Sequence, residues 1–276
     1  MSGDAPQPPE AYRDYVTREH EELIICGQAV NLWAGHYLDS ASPELAPLHP
    51  FVSKDVDILG DEATYARMKS IGTWQVAMQI KAKNAGPLLD VVGALTAVRA
   101  DGTKLAVEIR RSVHGLSGSD LERATHVEKD GTSYVVMEPQ IVLKGKLANL
   151  ADISQEGRQD GRHIRMLIPC VRRYLEDNHA QVVAGTLSPS SLLDRISETR
   201  EILCSPHAAN AVEMLGVSFN TVISPQLLLS PNPEIKESAA KASSSIALHL
   251  WRDQSPHTAH EVSHQQKPEQ GEGLSI

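Results

Sequence analysis

An α+β fold, with a mixed and mostly antiparallel sheet in the first half of the chain and helices in the second, is what three features of this sequence predict. Short apolar runs at Leu23–Cys26, Val56–Leu59, Val91–Val98, Thr103–Arg110 and Tyr134–Met137 are bounded by glycine, proline or Asp-Gly turns, as strands are. Between the first two runs, the stretch from Gln28 to Asp39 has helical period, and after Pro139 that period persists through several long segments. The 276 residues, 41% hydrophobic and 22% charged, are enough for one large core or two modest ones.

The net charge of −9 and the pI near 5.7 argue against a protein whose main task is wrapping bulk nucleic acid, while leaving room for a local basic groove. No apolar run reaches the roughly 18–20 residues that span a bilayer, and the polar stretch Met1 to Glu10 lacks the basic and apolar regions of a signal peptide. A cytoplasmic protein without a membrane partner is expected. Cys26, Cys170 and Cys204 are odd in number and far apart, so they read as reduced thiols rather than a disulfide framework or a C-x-x-C metal pair.

Residues 1–20 divide into a frayed leader carrying Gly3, Pro6, Pro8 and Pro9 and a helix from Glu10 to about Glu21. The α+β unit spans 21–138. Its first strand, Leu23–Cys26, breaks at Gly27 and gives way to the helix from Gln28, in which Ala29, Val30, Leu32, Trp33 and Tyr37 recur at helical spacing. Ser42–Pro50, with three prolines, reads as an exposed connection. The strand Val56–Leu59 follows, and Gly60-Asp61 opens a polar helix to about Ser70. Thr73–Ile80 and Val91–Val98 are strand-like, with a turn at Asn84-Ala85-Gly86-Pro87. Asp101-Gly102 marks a hairpin into a strand with Lys104, Ala106, Glu108 and Arg110 on one face and Leu105, Val107 and Ile109 on the other.

Val113–Gly131 reads as loop-rich, with a helical turn at Ser119–Ala124, before the strand Tyr134–Met137. The region 139–230 is helical, over Gln140–Ile153, Arg162–Glu176, Ser190–Cys204 and His207–Leu215, with a kink expected at Pro169. The polar tail, 231–276, is expected to be largely without fixed structure, one helix from Pro233 to Trp251 being the exception it allows. His257, His260 and His264 have loose metal-like spacing there, but solvated side chains are the simpler reading.

The chemistry concentrates on Asp55 and Asp57. Residues i and i+2 of a strand project to one side, roughly 6.5–7 Å apart at the backbone, so the two carboxylates repel one another unless a cation joins them. Mg²⁺, a hard ion that prefers carboxylate and phosphate oxygens, would let both remain ionised and hold a triphosphate. Two solvated acids at a strand end are the plainer alternative. Gly27, at a strand-to-helix turn, leaves space for a phosphate or another backbone, and the helix N-terminus beyond it offers unpaired N–H groups.

The ordered set Cys26-Gly27-Gln28, Ala29-Val30-Asn31-Leu32-Trp33-Ala34, Ser53-Lys54-Asp55-Val56-Asp57 and Val107-Glu108-Ile109-Arg110 resembles nucleotidyltransferases of the DNA polymerase β superfamily. Within that superfamily it is most similar to the proteins related to AbiEii toxins of abortive-infection systems, over about residues 20–175. The resemblance implies a nucleotidyltransferase-like mixed sheet with flanking helices. It also implies that Asp55, Asp57 and Glu108 hold two Mg²⁺ ions, that Gly27 and Gln28 lie against the phosphates of a nucleoside triphosphate, and that a basic residue neutralises the leaving pyrophosphate.

Ser53 is a candidate for a hydrogen bond to phosphate, or simply a turn residue leading the strand. Lys144 is the basic candidate, because Ile141, Leu147 and Leu150 trace an inward stripe on its helix, whereas Lys146 falls on another face. The implied activity is transfer of a nucleoside monophosphate to a hydroxyl on RNA (a tRNA, for example), on a protein or on a small molecule, with a toxin-like role and an antitoxin-like partner. Three departures from the family pattern stand out. Cys26 falls where the first of two glycines is usual, Glu108 stands where aspartate is usual, and Arg110-Arg111 follow where an apolar residue is commoner. They fit an active enzyme, and they equally fit a catalytically silent binding or interaction module.

Overall fold

The computed structural model describes residues 5–16, 22–72, 74–80 and 90–254. Its centre is a seven-stranded mixed sheet of β1 (Leu23–Ile25), β2 (Val56–Leu59), β3 (Val76–Gln79), β4 (Val91–Val98), β5 (Lys104–Arg110), β6 (Ala124–Lys129) and β7 (Thr132–Met137), in the order β3-β4-β5-β2-β1-β7-β6. Only β2–β5 and β1–β7 pair in parallel. The α+β expectation therefore holds, down to a mostly antiparallel sheet lying between Leu23 and Met137. The short central strands are buried on both faces, which is why they read as continuous apolar runs rather than alternating ones.

Helix α1 (Cys26–Tyr37) starts directly at the end of β1 and buries Ala29, Val30, Leu32, Trp33 and Ala34; Trp33 Nε1 donates to the Met137 carbonyl at 2.9 Å, fastening the helix across β7. Helix α3 (Glu62–Ile71) is capped by Asp61, whose carboxylate accepts from the amides of Ala63 and Thr64. The second half is helical: α5 (Pro139–Asp152), α6 (Asp160–Val183), α7 (Pro189–Leu203), α8 (Pro206–Leu215) and the short α9 (Pro225–Leu228). The helix α6 runs on through Pro169 without a break in its assignment. Glu138, buried at the start of α5, accepts from Arg123 and Arg195 at 2.7 Å each, so one carboxylate joins the sheet to α7.

Four expectations change. Gln7 pairs with Ser53 through two backbone hydrogen bonds, so this part of the leader is fixed beside the acid pair instead of frayed. The helix read over Glu10–Glu21 is a short 3-10 helix, Pro9–Tyr12, followed by turns to Val16; residues 17–21 lie outside those described. Ser42–Pro50 is not a plain connection: it folds into α2 (Ser42–Leu45) and a 3-10 turn, with Leu45 fully buried. The segment before Tyr134 holds β6, and Asp130-Gly131, both at positive φ, makes the β6–β7 hairpin turn. In the tail, Pro233–Gln254 forms α10, which packs on α7, α8 and α9 through Ile235, Ala239, Ala242 and Ile246. The expected turn at Asn84–Pro87 and the three tail histidines lie outside the described residues. The apolar core runs without interruption from the sheet into these helices.

Candidate active site

The turn from β1 into α1 sets the floor of the site. Cys26 there has φ +56°, in the left-handed region that costs a non-glycine residue about 1–2 kcal/mol. This is the position where the resemblance places a first glycine. A Cβ added at Gly27 would come within 2.9 Å of Ser53 Oγ, so glycine lets that side chain sit against the turn, while His163 Cε1, 3.6 Å from the same position, is in ordinary contact range.

Register places the acids. Asp57 in β2 stands directly opposite Glu108 in β5, a parallel pair whose side chains share one face. Asp55 lies one residue before β2, in the bend that leads to it, rather than within the strand as i, i+2 spacing suggests. Its carboxyl is pushed up to about 6, first by burial and then by the charges of Asp57 and Glu108, while Arg110 and Ser53 pull the other way. Ser53 Oγ is 3.5 Å from Asp55 Oδ1, at the long limit of a hydrogen bond. Arg110 donates from Nε to Asp57 Oδ1 and from Nη2 to Glu108 Oε2, each at 2.5 Å.

Above this floor opens a cavity of about 410 Å³, whose lining brings Gly27, Ser53, Asp55, Asp57 and Arg110 together with Lys146, Asn149, Arg158, Asp160 and His163. Lys146 Nζ donates to Asp160 Oδ1 at 2.9 Å and Arg158 Nε to Oδ2 at 2.6 Å. Burial alone would raise the Asp160 carboxyl, but these two cations hold it below its ordinary value. The lining thus carries two cations around one carboxylate in addition to the acid pair.

Of the residues predicted from sequence, Gly27, Ser53, Asp55 and Asp57 border this cavity. Glu108 shares Arg110 with Asp57 but faces a neighbouring hollow of about 190 Å³ beside Met78, Ile80 and Ala94. Two assignments are corrected. Gln28 is buried in a chain of amides, donating to the Gln7 carbonyl at 3.0 Å and accepting from Asn31 at 2.9 Å, and it does not reach the cavity. Lys144 points away to Asp120, at 2.8 and 3.0 Å, and the lysines that line the cavity are Lys54 and Lys146. The stripe argument fails because α5 is buried on nearly every side, so apolar spacing marks no single inward face.

Sequence reasoning missed Arg158, Asp160 and His163. Their only signal is chemical: Asp160 and His163 are three apart on one helix, an unusual polar pair on a face that is otherwise apolar.

The donors suit a hard divalent cation, since Asp55 and Asp57 are carboxylates that line one cavity. Among the described residues no three such groups stand where they could hold a metal ion together, so the expected set of Asp55, Asp57 and Glu108 is not assembled here, and Arg110 pairs with two of its members.

Fold and site together define an α+β protein with an acid-floored, cation-walled cavity at the end of its central strands. No protein-family model matches the chain, and no curated protein matches it. A solved structure of an antigenic nucleotidyltransferase-like protein from Paracoccidioides brasiliensis is similar at 18% identity, covering 60% of this chain and 78% of that one with a TM-score of 0.36. Among the described residues, no helix is long and apolar enough to cross a membrane.

Proposed function

We propose that this chain is a nucleotidyltransferase that binds a nucleoside triphosphate in the cavity and passes its nucleoside monophosphate to an acceptor hydroxyl. The observation that carries the reading is that Asp55 and Asp57 line one cavity of about 410 Å³ together with Lys146 and Arg158. Paired acids suit a metal-bound polyphosphate and cations in the same lining suit its free oxygens. The motif order in the sequence agrees with it. Asp55 and Asp57 would hold Mg²⁺, two ions by the resemblance, which when bound supplies charge neutralisation at the phosphoryl oxygens.

The protein's own groups do the rest. The turn at Gly27 leaves room for phosphate beside the N-terminus of α1, whose amides favour anionic oxygen. Lys146, held in place by Asp160, supplies positive charge where pyrophosphate leaves. Glu108, released from Arg110, would complete the acid set, and the hollow beside it gives an acceptor a route to the reacting phosphorus. The resemblance in sequence suggests an acceptor on RNA such as a tRNA, on a protein or on a small molecule, and a toxin-like role with an antitoxin-like partner.

A second reading, a nucleotide-binding or interaction module without turnover, is favoured by the Arg110 clamp on Asp57 and Glu108. Thermal stabilisation by each of the four ribonucleoside triphosphates with Mg²⁺, together with label transfer from an α-phosphate-labelled triphosphate to protein or RNA, tests both readings. Stabilisation that disappears in Asp55→Ala, with transfer, supports the enzyme; stabilisation without transfer supports the silent module; no nucleotide effect in the unaltered chain sinks both.

A further inference from the structure

His163 lies on α6, is only 5% exposed, and borders the cavity, yet among the described residues neither of its ring nitrogens has a hydrogen-bond partner. A buried polar group without a partner is costly, so its retention points to a partner that arrives from the cavity. Asp160, the carboxylate nearest in sequence, accepts from Lys146 and Arg158 and makes no hydrogen bond to His163. Burial first, and the charge of Lys146 second, push the imidazole down to about 3, against which Asp160 pulls weakly while Arg162 and Arg158 add to the push. The ring is therefore neutral at physiological pH, with one N–H to donate and no charge of its own. Its Cε1 lies 3.6 Å from the position a Cβ would take on Gly27, so it stands beside the turn against which the triphosphate is placed.

We propose that His163 is a ligand-contacting residue that donates one hydrogen bond to a phosphate oxygen of the bound nucleoside triphosphate, beside Gly27. The inference rests on the proposed function. Lys146 and Arg158 supply charge, while His163 fixes the direction of one oxygen, a role a neutral planar donor serves without competing for Asp160.

The test uses the full chain and its His163→Phe, His163→Asn and His163→Gln variants, with affinities measured for the four ribonucleoside triphosphates and for inorganic tripolyphosphate in Mg²⁺. Loss of one hydrogen bond to a charged oxygen predicts binding about ten- to a hundredfold weaker in His163→Phe, for tripolyphosphate as well as nucleotide. The unliganded melting temperature should be unchanged or higher, because two unpaired buried nitrogens have been removed. Asparagine returns an N–H near Nδ1 and glutamine near Nε2, and one of them should recover most of the affinity. Unchanged affinity in His163→Phe with a lower melting temperature would mark a structural histidine and overturn the inference alone. Weaker nucleotide binding with unaltered tripolyphosphate binding would move the contact to sugar or base and also overturn it. Failure of the unaltered chain to bind any triphosphate overturns the proposed function and this inference together.

Discussion

Arg110 and Asp57 are joined by a 2.5 Å hydrogen bond from Nε to Oδ1, and the same guanidinium reaches Glu108 on its other side. One cation of the protein thus occupies carboxylate oxygens that the sequence assigns to metal ions. The electrostatic consequence is uneven. Asp57 has a hydrogen-bonded counter-charge, whereas Asp55, just outside the strand, is pushed up first by burial and then by the charges of Asp57 and Glu108.

Arg110→Ala should lower unliganded stability by about 1–3 kcal/mol, between the values for exposed and buried ion pairs, because it leaves Asp57 and Glu108 facing one another. Mg²⁺ should then raise the melting temperature of the variant by more than that of the parent, as the metal takes over the lost counter-charge. Equal Mg²⁺ shifts in the two proteins would show that Arg110 does not compete with the ion.

Asp55 should make stability fall with rising pH. Its folded pKa of about 6 lies above the ordinary 3.8, so the folded state binds more protons between those values and loses stability as pH rises through the window. Asp55→Asn should therefore be more stable than the parent at pH 7 by on the order of 2 kcal/mol, with the gap closing towards pH 4. Mg²⁺ affinity of the parent should rise as pH passes 6. Denaturant melts at pH 4, 5, 6 and 7 check the first point, and a gap that does not shrink towards pH 4 would contradict it.

Lys146 and Lys144 should separate cleanly. Lys146→Ala removes a cavity cation and leaves Asp160 with Arg158 alone, so triphosphate binding should weaken at least tenfold, together with a loss of stability. Lys144→Ala breaks a half-exposed pair with Asp120 and should leave binding unchanged. Titration calorimetry on both variants decides; equal effects would dissolve the distinction.

Cys26 offers a backbone test. Cys26→Gly relieves a left-handed residue while losing a partly buried thiol, so stability should stay within about 1 kcal/mol of the parent. Cys26→Val, β-branched at φ +56°, should cost more than about 2 kcal/mol. If valine proves as stable as glycine, the turn is not under the strain its φ implies.

A chain ended at Ser230 should be destabilised by at least about 3 kcal/mol, the scale of burying two isoleucines, since α10 covers the core through Ile235, Ala239, Ala242 and Ile246. Urea melts of the full and shortened chains would show it, and an unchanged midpoint would mean that α10 contributes nothing to the core.

The sequence by itself determined what is local. Apolar runs marked β1, β2, β4, β5 and β7, Asp101-Gly102 marked its hairpin, and Asp61 marked the start of α3, because turn chemistry and caps depend on a few adjacent residues. The second hairpin, at Asp130-Gly131, carries the same signal, but β6 has no apolar run to mark it, since Val127 is its one buried residue and Thr125, His126, Glu128 and Lys129 are polar. The floor of the site was legible in Gly27, Ser53, Asp55 and Asp57 because they stand at the ends of two neighbouring strands. The rest of its lining was not. Lys146, Arg158, Asp160 and His163 come from α5, α6 and the segment between them, about ninety residues further along the chain, and which of their side chains meet the acids depends on how those helices dock. Tertiary packing alone buried α5 on nearly every side, turned Lys144 to Asp120, and laid Arg110 across Asp57 and Glu108, since each of these follows from long-range contacts that periodicity within one segment does not encode.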